Sequence, residues 1–263
     1  MLYYMIMAGG IGSRMNSPEL PKQYLKVNDE PIIVKTIRNF EEFGSFTAGV
    51  VCCPIDWIEY TKAMLLEYGI TSNSITVISG GKNRNCSVKN GCRFLSENYN
   101  ITDEDIILTH DAVRPFINSR IIKENISAVK EFGAANTVMP VYDSIIRSEN
   151  GDFLNQCVKR DDIYRVQTPQ SFKFKELEKI INSLNDEELA NYTDVASIFY
   201  NKGFQVKLVR GSDNNIKITT PFDLAVASAI IANSNWFVNC LVFIVYIQFQ
   251  EGFLYGKQPK KTR

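Results

Sequence analysis

Short apolar runs rich in β-branched and aromatic residues alternate along the chain with segments whose apolar residues repeat at helical spacing. Strands that alternate with helices indicate an α/β fold with a mostly parallel sheet. Near-continuous apolar strands indicate that helices cover both faces of the sheet. Predicted strands are Leu2–Met7, Ala48–Cys53, Ile75–Ile78, Asp105–Thr109, Thr137–Val141 and Phe204–Val209. Predicted helices are Ile32–Phe43, Ile55–Leu66, Cys86–Leu95, Ile121–Phe132, Phe174–Leu184, Val195–Lys202 and Pro221–Ile231.

Residues 141–166 break this alternation. They read "VYDSIIRSENGDFLNQCVKRDDIYRV", in which "SENGD" is a turn signal between two extended runs. We therefore expect a hairpin that projects from the sheet as a β-arm. Because an exposed strand edge favours pairing with another chain, a second copy is the expected cover, and the chain is a predicted homodimer.

Composition and charge are ordinary for a soluble globular protein, and they limit the classes of binding partner that we expect. Of the 263 residues, 45% are hydrophobic and 22% are charged, and the 29 Lys and Arg residues equal the 29 Asp and Glu residues in number. The zero formal charge gives no overall attraction to nucleic acid or to an anionic membrane, so we expect no nucleic-acid partner. Any anion site must come from local placement of Lys and Arg.

The numbers and spacing of cysteine and histidine favour a reducing compartment. They exclude a cysteine-ligated zinc site and a metal site with several histidines. None of the six cysteines forms a C-x-x-C pair, and Cys52 and Cys53 are adjacent, so they should point to opposite faces of a strand. This pattern is typical of reduced thiols, and the start of the chain lacks signal-peptide features, so the predicted location is cytoplasmic. The single histidine, His110, excludes multi-histidine metal sites and is interpreted as a strand-end residue.

The end of the chain differs from the rest, so residues 1–233 are the predicted domain and residues 234–263 an extension. The extension contains "WFVNCLVFIVYIQF" followed by "KQPKKTR", and its apolar stretch is shorter than the roughly 20 residues that span a bilayer. A packed helix or strand ranks first, an extension unrelated to the fold second, and contact with a membrane surface or a partner last.

A glycine-rich connection, "MAGGIGSRMNSPELPKQYL", follows the first predicted strand. Gly9, Gly10 and Gly12 allow the backbone to approach a ligand, and their N–H groups can form an anion-binding nest. The spacing fits neither the dinucleotide nor the Walker pattern, and glycines alone would mark only a tight turn. Arg14 and Lys22 add two cations that suit a polyphosphate, although either residue alone would be interpreted as a solvated surface charge.

These residues resemble a known family. "AGGIGSRM…LPKQYL" is similar to the signature of the cytidylyltransferases that activate sugar-alcohol phosphates, which include the methylerythritol-phosphate and ribitol-5-phosphate enzymes. The resemblance continues in order through "GGKNRNCSVKNG", "THDAVRPF", "VQTPQSF", "YTDVASIF" and "GSDNNIKITTPFDLAVA", and it covers roughly residues 1–232. It implies a Rossmann-like, mostly parallel twisted sheet with helices on both faces and a projecting β-arm used for dimerisation.

The resemblance also implies a CTP site with Mg²⁺ as cofactor. Asp111 would hold the metal, since an unshielded carboxylate would repel phosphate. In the methylerythritol enzymes an aspartate precedes the Asn-Ile-Lys run, whereas this chain has Asn214, so Asp111 with phosphate oxygens and waters is the expected ligand set. Nucleotide contacts fall on Met7, Ala8, Gly9, Gly10, Gly12, Gly81, Lys82, Ser87, Ala112 and Arg114. For Ser87 a helix-cap role, and for Arg114 a loop-orienting ion pair, remain alternatives.

The acceptor and the catalytic cations are implied in the same way. Arg14, Lys22 and Lys217 would stabilise the transferred phosphate and the departing pyrophosphate. Arg160, from the arm of the neighbouring subunit, would grip the acceptor phosphate. The acceptor contacts are Asp111, Arg160, Thr168 and Thr193. Thr193 could equally be the N-cap of the helix that follows it.

The expected reaction joins CTP to a polyol phosphate, giving a CDP-polyol and pyrophosphate. "ILTHDAVRPF" and "YTDVASIF" resemble the ribitol-phosphate branch, whereas "GSDNNIKIT" resembles the methylerythritol branch, so ribitol 5-phosphate is favoured and methylerythritol 4-phosphate is the alternative. A catalytically idle nucleotide-binding scaffold is a further alternative. It is disfavoured by the presence together of four cations and one carboxylate: Arg14, Lys22, Arg160, Lys217 and Asp111. A nicotinamide dehydrogenase is disfavoured by the glycine spacing.

Overall fold

The computed structural model describes residues 1–10, 15, 20–71 and 74–233, and these form a seven-stranded mixed sheet with helices on both faces. The strands are β1 (Leu2–Met7), β2 (Lys26–Val27), β3 (Glu30–Pro31), β4 (Ala48–Cys53), β5 (Ile75–Ser79), β6 (Ile106–Asp111), β7 (Ala134–Pro140), β8 (Ile145–Arg147), β9 (Gln156–Val158), β10 (Tyr164–Lys173) and β11 (Lys207–Arg210). The helices are α1 (Ile32–Phe43), α2 (Ile58–Glu67), α3 (Arg84–Asn98), α4 (Ser119–Phe132), α5 (Phe174–Asn182), α6 (Asp186–Ala190), α7 (Val195–Asn201) and α8 (221–233).

The main sheet has the strand order β11-β7-β10-β6-β1-β4-β5. All neighbouring pairs are parallel except those of β10, which runs antiparallel to both β6 and β7. The sequence pattern predicts the other six strands within a few residues. It misses β10 because Gln167, Thr168, Gln170 and Ser171 make its buried stretch polar, and a hydrophobic pattern does not report such a strand.

Alternating side chains of β1 enter two different cores, as the near-continuous apolar strands predict. Tyr4 and Ile6 pack on one face against α1, α2 and α4, whereas Tyr3 and Met5 pack on the other face against α3, α5 and α7. Cys53 and Cys52 divide between the same two cores, which confirms that adjacent cysteines point to opposite faces. All five cysteines among the described residues are unpaired thiols.

One close contact ties the first face together. Tyr4 stacks on Phe40 with ring centroids 4.9 Å apart, and its hydroxyl donates to Glu41 at 2.8 Å. A side chain at Gly49 on the neighbouring strand would place its Cβ 2.1 Å from the Tyr4 ring. Glycine at this position is therefore required for β4 to lie beside the buried tyrosine.

The strand register brings the functional loops to one edge of the sheet. Met7, the last residue of β1, pairs with Cys52 of β4 and with Asp111 of β6. The loops that leave β1, β5 and β6 therefore meet beyond the carboxyl ends of neighbouring parallel strands, where open α/β sheets bind ligands. Helix α8 packs from the side, with Ala227 in a small core beside Val113 and Ile218.

The predicted hairpin is present as β8 and β9, which form a separate two-stranded sheet. The large apolar residues that it and its flanks expose are Tyr142, Ile146, Phe153 and Leu154. The end of the predicted arm needs a correction, because β10 begins at Tyr164 and already pairs with Pro140 of β7. The use of the arm in dimerisation stays a prediction.

No helix within residues 1–10, 20–71 or 74–233 combines the length and the apolar character needed to cross a bilayer. Residues 234–263, the predicted extension, lie outside the described residues, as do Gly12 and Arg14.

Candidate functional site

A cleft of about 250 Å³ opens at the carboxyl edge of the sheet, between the loops that follow β1, β5 and β6. It is lined by residues from five separate parts of the chain. The predicted site residues that line it are Met7, Ala8, Gly9, Gly10, Lys22, Gly81, Lys82, Ser87, Asp111, Ala112 and Lys217. Lys22 and Lys217 are almost 200 positions apart in sequence, yet both line this cleft, as a polyphosphate site requires.

The loop after β1 is held against the segment that carries Lys22. The Ala8 N–H donates to the Cys52 carbonyl at 2.8 Å, and the buried Gln23 side chain donates to the Ala8 carbonyl at 2.7 Å. A Cβ at Gly10 would lie 3.6 Å from Cε of Lys22, so the lysine chain passes directly beside the glycine backbone. The glycine loop and the ammonium group therefore face the same space.

Aromatic packing fixes the other side of the Lys22 segment. Lys22–Tyr24 forms one 3₁₀ turn, and Tyr24 stacks on Trp57 with ring centroids 5.1 Å apart. The Tyr24 hydroxyl also shares a 2.8 Å hydrogen bond with Thr61 of α2. Anchoring on α2 limits the freedom of the backbone that carries the lysine, which lowers the entropy lost when the lysine engages an anion.

The loop between β5 and α3 is shaped by Ser87. Its hydroxyl accepts the Gly81 N–H at 2.9 Å and donates to the Asn83 carbonyl at 2.9 Å. The helix-cap alternative for Ser87 is wrong, because Asn83 caps α3 by accepting the Cys86 N–H. A Cβ at Gly81 would lie 2.5 Å from Cys86, so glycine is required where this backbone borders the cleft.

Asp111 lies at the centre of a cluster of positive charge. Its carboxylate is 2.8 Å from Lys217 Nζ, 3.3 Å from Arg84 Nε and 3.8 Å from Arg114 Nε. Burial alone would raise the pKa of Asp111, but the charges of Arg84, Lys217 and Arg114 together hold it well below its ordinary value. One carboxylate thus faces three cations, which leaves a surplus of positive charge for an anionic ligand.

His110 supports this cluster from behind. Its Nε2 faces the carbonyl of Arg114 at 3.1 Å, and because a carbonyl only accepts, Nε2 carries the proton. Nδ1 then accepts from the Thr168 hydroxyl at 3.0 Å, and that hydroxyl accepts the Asp111 N–H at 3.2 Å. Burial lowers the pKa of His110 to about 4, so the ring is neutral at physiological pH. His110 is fully buried and structural, as its interpretation as a strand-end residue predicts.

A second cavity of about 130 Å³, which we call the side cavity, adjoins the cleft. Arg84, Asp111 and Lys217 line both spaces. Thr168 and Thr193, two of the four predicted acceptor contacts, line the side cavity but not the cleft. Their roles stay predictions, although the alternative for Thr193 is wrong, because Asp194 caps α7 by accepting the Ser197 N–H.

Besides Thr168 and Thr193, two further predicted residues among the described ones do not line the cleft. Arg114 is 7% exposed and donates to the carbonyls of Asn215 and Val166, so its position fits the loop-orienting alternative, and it lines only the side cavity. Arg160 is exposed on the arm, where it donates to the Tyr142 carbonyl at 3.0 Å. Within one protomer the structure does not bring Arg160 to either cavity.

Four cleft residues were missed by sequence reasoning. They are Gln23, Asn83, Arg84 and Val113. Gln23 and Val113 adjoin predicted site residues in the motifs "LPKQYL" and "THDAVRPF", so a rule that includes motif neighbours would have found them. Arg84 follows the glycine pair at Gly80 and Gly81, but its approach to Asp111 depends on the pairing of distant strands and cannot be read from spacing.

The donor set fits Mg²⁺ only in company with a nucleotide. Asp111 is the only carboxylate among the described residues that line the cleft, and no cluster of three potential metal-ligating side chains occurs among them. Mg²⁺ commonly binds through one or two carboxylates, substrate phosphates and waters, which this arrangement can supply. Asn214 is exposed, and Asp213 pairs with Arg165 at 3.5 Å.

Comparison with known proteins agrees with this geometry. The sequence model of one family, described as "IspD: 2-C-methyl-D-erythritol 4-phosphate cytidylyltransferase", matches residues 2–233. A ribitol-5-phosphate cytidylyltransferase from Lactiplantibacillus plantarum is 44% identical over 231 residues, which cover 88% of this chain and 98% of the relative.

Solved structures share the fold. The 4-diphosphocytidyl-2C-methyl-D-erythritol synthase of Anaerococcus prevotii superposes with a TM-score of 0.73 at 25% identity, covering 88% of this chain and 96% of that one. The 2-C-methyl-D-erythritol 4-phosphate cytidylyltransferase of Francisella tularensis gives a TM-score of 0.72 at 29% identity, covering 86% and 97% of the two chains.

Replacing Thr168 tests the buried support of Asp111. Thr168→Val keeps the shape but leaves His110 Nδ1 and the Asp111 N–H without a partner, so we expect the free energy of unfolding to fall by about 1–3 kcal/mol. Urea denaturation measures this value. Thr168→Ser keeps the hydroxyl and is the matched control. Equal stability of the valine and serine variants would contradict the assigned hydrogen bonds.

Proposed function

The chain belongs to the IspD family of cytidylyltransferases, and on that premise we propose that it joins CTP to D-ribitol 5-phosphate, giving CDP-ribitol and pyrophosphate. The observation that carries the chemistry is the convergence of Lys22, Lys217 and the glycine loop on one cleft with Asp111. The choice of acceptor rests on the 44% identity to the ribitol-5-phosphate enzyme. Methylerythritol 4-phosphate is the second candidate, because the family description and the name of the Francisella tularensis enzyme include that substrate.

The proposed reaction needs no general base. An oxygen of the acceptor phosphate is already anionic and attacks the α-phosphorus of CTP in line with the bond to the β-phosphate. The new P–O bond forms as that bond breaks, and its electron pair leaves with pyrophosphate. The protein then has to align two anions and neutralise the charge that accumulates between them.

The two spaces at Asp111 suit the two substrates. CTP would occupy the cleft, with its cytosine against Ala8, Gly81 and Ser87 and its phosphates against Lys22 and the glycine loop, all of which line this space. The acceptor phosphate fits the side cavity, next to Thr168 and Thr193. Lys217 borders both spaces and can contact the phosphates of both substrates. Arg14 and Gly12 complete the proposed phosphate contacts from outside the described residues.

Mg²⁺ would be held by Asp111 together with phosphate oxygens and waters. When bound, it would neutralise phosphate charge and fix the phosphate geometry. In the absence of ligands Lys217 Nζ is 2.8 Å from the Asp111 carboxylate. We propose that Lys217 turns towards the phosphates when nucleotide arrives, which frees a carboxylate oxygen for the metal.

A shared active site would explain the position of Arg160. It is exposed on the arm, away from both cavities of its own protomer, and the arm also exposes Tyr142, Ile146, Phe153 and Leu154. Exposed apolar groups beside an uncovered strand pair favour an interface. We propose a homodimer in which each arm carries Arg160 to the acceptor phosphate of its partner. We further propose a cytoplasmic location, where a protein with reduced thiols would meet CTP.

The acceptor is tested by incubating the purified enzyme with CTP, Mg²⁺ and either ribitol 5-phosphate or methylerythritol 4-phosphate, and measuring pyrophosphate release. We expect kcat/KM to be at least about a hundredfold higher with ribitol 5-phosphate, since discrimination by hydroxyl contacts is large. A higher kcat/KM with methylerythritol 4-phosphate would contradict the proposal and identify that compound as the acceptor. CTP binding without turnover of any polyol phosphate would favour the idle scaffold.

Lys22→Ala should lower kcat by about a hundredfold or more, because removing one preorganised donor to a developing negative charge costs that much. Its fold should survive, since the residue is half-buried at the cleft wall and its backbone turn is anchored by Tyr24. Lys26→Ala is the matched control, because Lys26 is exposed and lies over the ring of Tyr68, outside the cleft. Near-normal turnover by the Lys22 variant would end its catalytic assignment.

Complementation between variants tests the shared site. Co-expressed Lys22→Ala and Arg160→Ala chains should recover about a quarter of wild-type activity, because half of the dimers are mixed and each has one intact site. Each variant alone should be nearly inactive, and size-exclusion chromatography reports the oligomer. If both residues act within a single protomer, the mixture will have no more activity than the separate variants.

A further inference from the structure

Arg84 has hydrogen-bonding capacity that the described structure leaves unused. It begins α3, and its Nε lies 3.3 Å from Asp111. Its two terminal nitrogens are buried and have no acceptor among the described residues. A buried donor without an acceptor is unfavourable, and more so when it is charged, so such an arrangement is typically kept for a ligand.

The other arginine of the cluster differs at its terminal nitrogens, and of its three nitrogens only Nε, 3.8 Å from Asp111, is buried without a hydrogen-bond partner among the described residues. Arg114 donates through both terminal nitrogens to backbone carbonyls, at 2.7 Å to Asn215 and 3.4 Å to Val166. Its guanidinium is therefore committed to joining three segments of the chain. Arg84 has only the shared contact with Asp111, and that carboxylate is also paired with Lys217 at 2.8 Å.

The position of Arg84 indicates which anion it meets. Only Arg84, Asp111 and Lys217 line both the cleft and the side cavity among the described residues. With nucleotide in one space and acceptor phosphate in the other, residues common to both walls flank the point where the new bond forms. That point is the α-phosphorus of the nucleotide, whose oxygens gain charge in the transition state.

We propose that Arg84 is a fourth catalytic cation, which binds the transferred α-phosphate at the junction of the two cavities. The inference rests on the proposed function and extends it, since the sequence-based assignment placed this role on Arg14, Lys22 and Lys217 alone. A planar guanidinium with two unused nitrogens can bind two oxygens of one phosphate, which an ammonium cannot do. Arg84 therefore acts more strongly on the pentacoordinate state than on bound CTP.

Steady-state kinetics of Arg84→Gln separate this role from ground-state binding. We expect kcat to fall by about a hundredfold while the affinity for CTP, measured by calorimetry, changes by no more than about threefold. Arg84→Lys should recover part of kcat, because it restores charge without the fork. Arg93→Gln is the matched control, since Arg93 is an exposed arginine of the same helix and does not line the cleft. An unchanged kcat, or a loss confined to CTP affinity, would overturn the proposal.

A measurement without acceptor makes the test independent of the proposed substrate. In ³¹P NMR of the CTP complex, Arg84→Gln and Arg84→Lys should shift the α-phosphorus resonance and leave the β and γ resonances in place. Identical α resonances in wild type and both variants would overturn the assignment of Arg84, even if neither polyol phosphate reacts. A different outcome separates the two proposals. If the variants shift the α resonance but the wild-type enzyme turns over no polyol phosphate, the proposed function is disproved and the contact of Arg84 with the α-phosphate is supported. Because two variants are compared, failure of one to fold leaves the test intact.

Discussion

The whole site depends on keeping one buried carboxylate ionised among three cations. Asp111 ends β6, and its contacts with Lys217, Arg84 and Arg114 keep its pKa far below the ordinary value despite burial. The carboxylate allows three positive groups to lie close together in a folded protein, and their surplus charge attracts phosphate. Without Asp111 the cations would repel one another, and without the cations a buried carboxylate would be protonated.

The remainder of the fold sets this cluster in place. Strand register aligns Met7 with Asp111. The neutral ring of His110 holds the Arg114 carbonyl directly and the Asp111 N–H through the Thr168 hydroxyl. On the opposite wall, Gln23 and Tyr24 fix the turn that carries Lys22. These supports are buried and uncharged, whereas the groups that they position border the cavities. Such a division supports preorganisation, because the cations need little rearrangement when ligand arrives.

Much of this architecture follows from the sequence, and the exceptions have physical causes. Apolar periodicity locates seven of the eight described helices and six of the seven main strands, because each of these buries a continuous apolar face. It misses the short helix α6, in which only Leu189 is buried. It misses β10, whose buried Gln170 and Ser171 bond to neighbouring polar groups instead of packing as apolar side chains. The motifs identify Lys22, Asp111 and Lys217 as site residues, but the proximity of the three side chains depends on the order of the strands in the sheet. The motifs did not identify Arg84, because the evidence for its role is the pair of buried nitrogens without an acceptor, which only the structure shows.

Calorimetric titration of the wild-type protein with cytidine, CMP and CTP in the presence of Mg²⁺ tests the central claim most directly. If surplus positive charge around Asp111 and Lys22 binds the phosphates, affinity should rise with each phosphate, by about tenfold or more from CMP to CTP. The gain should shrink as salt concentration rises, since the charges border solvent. Equal affinities for cytidine and CTP would contradict the account.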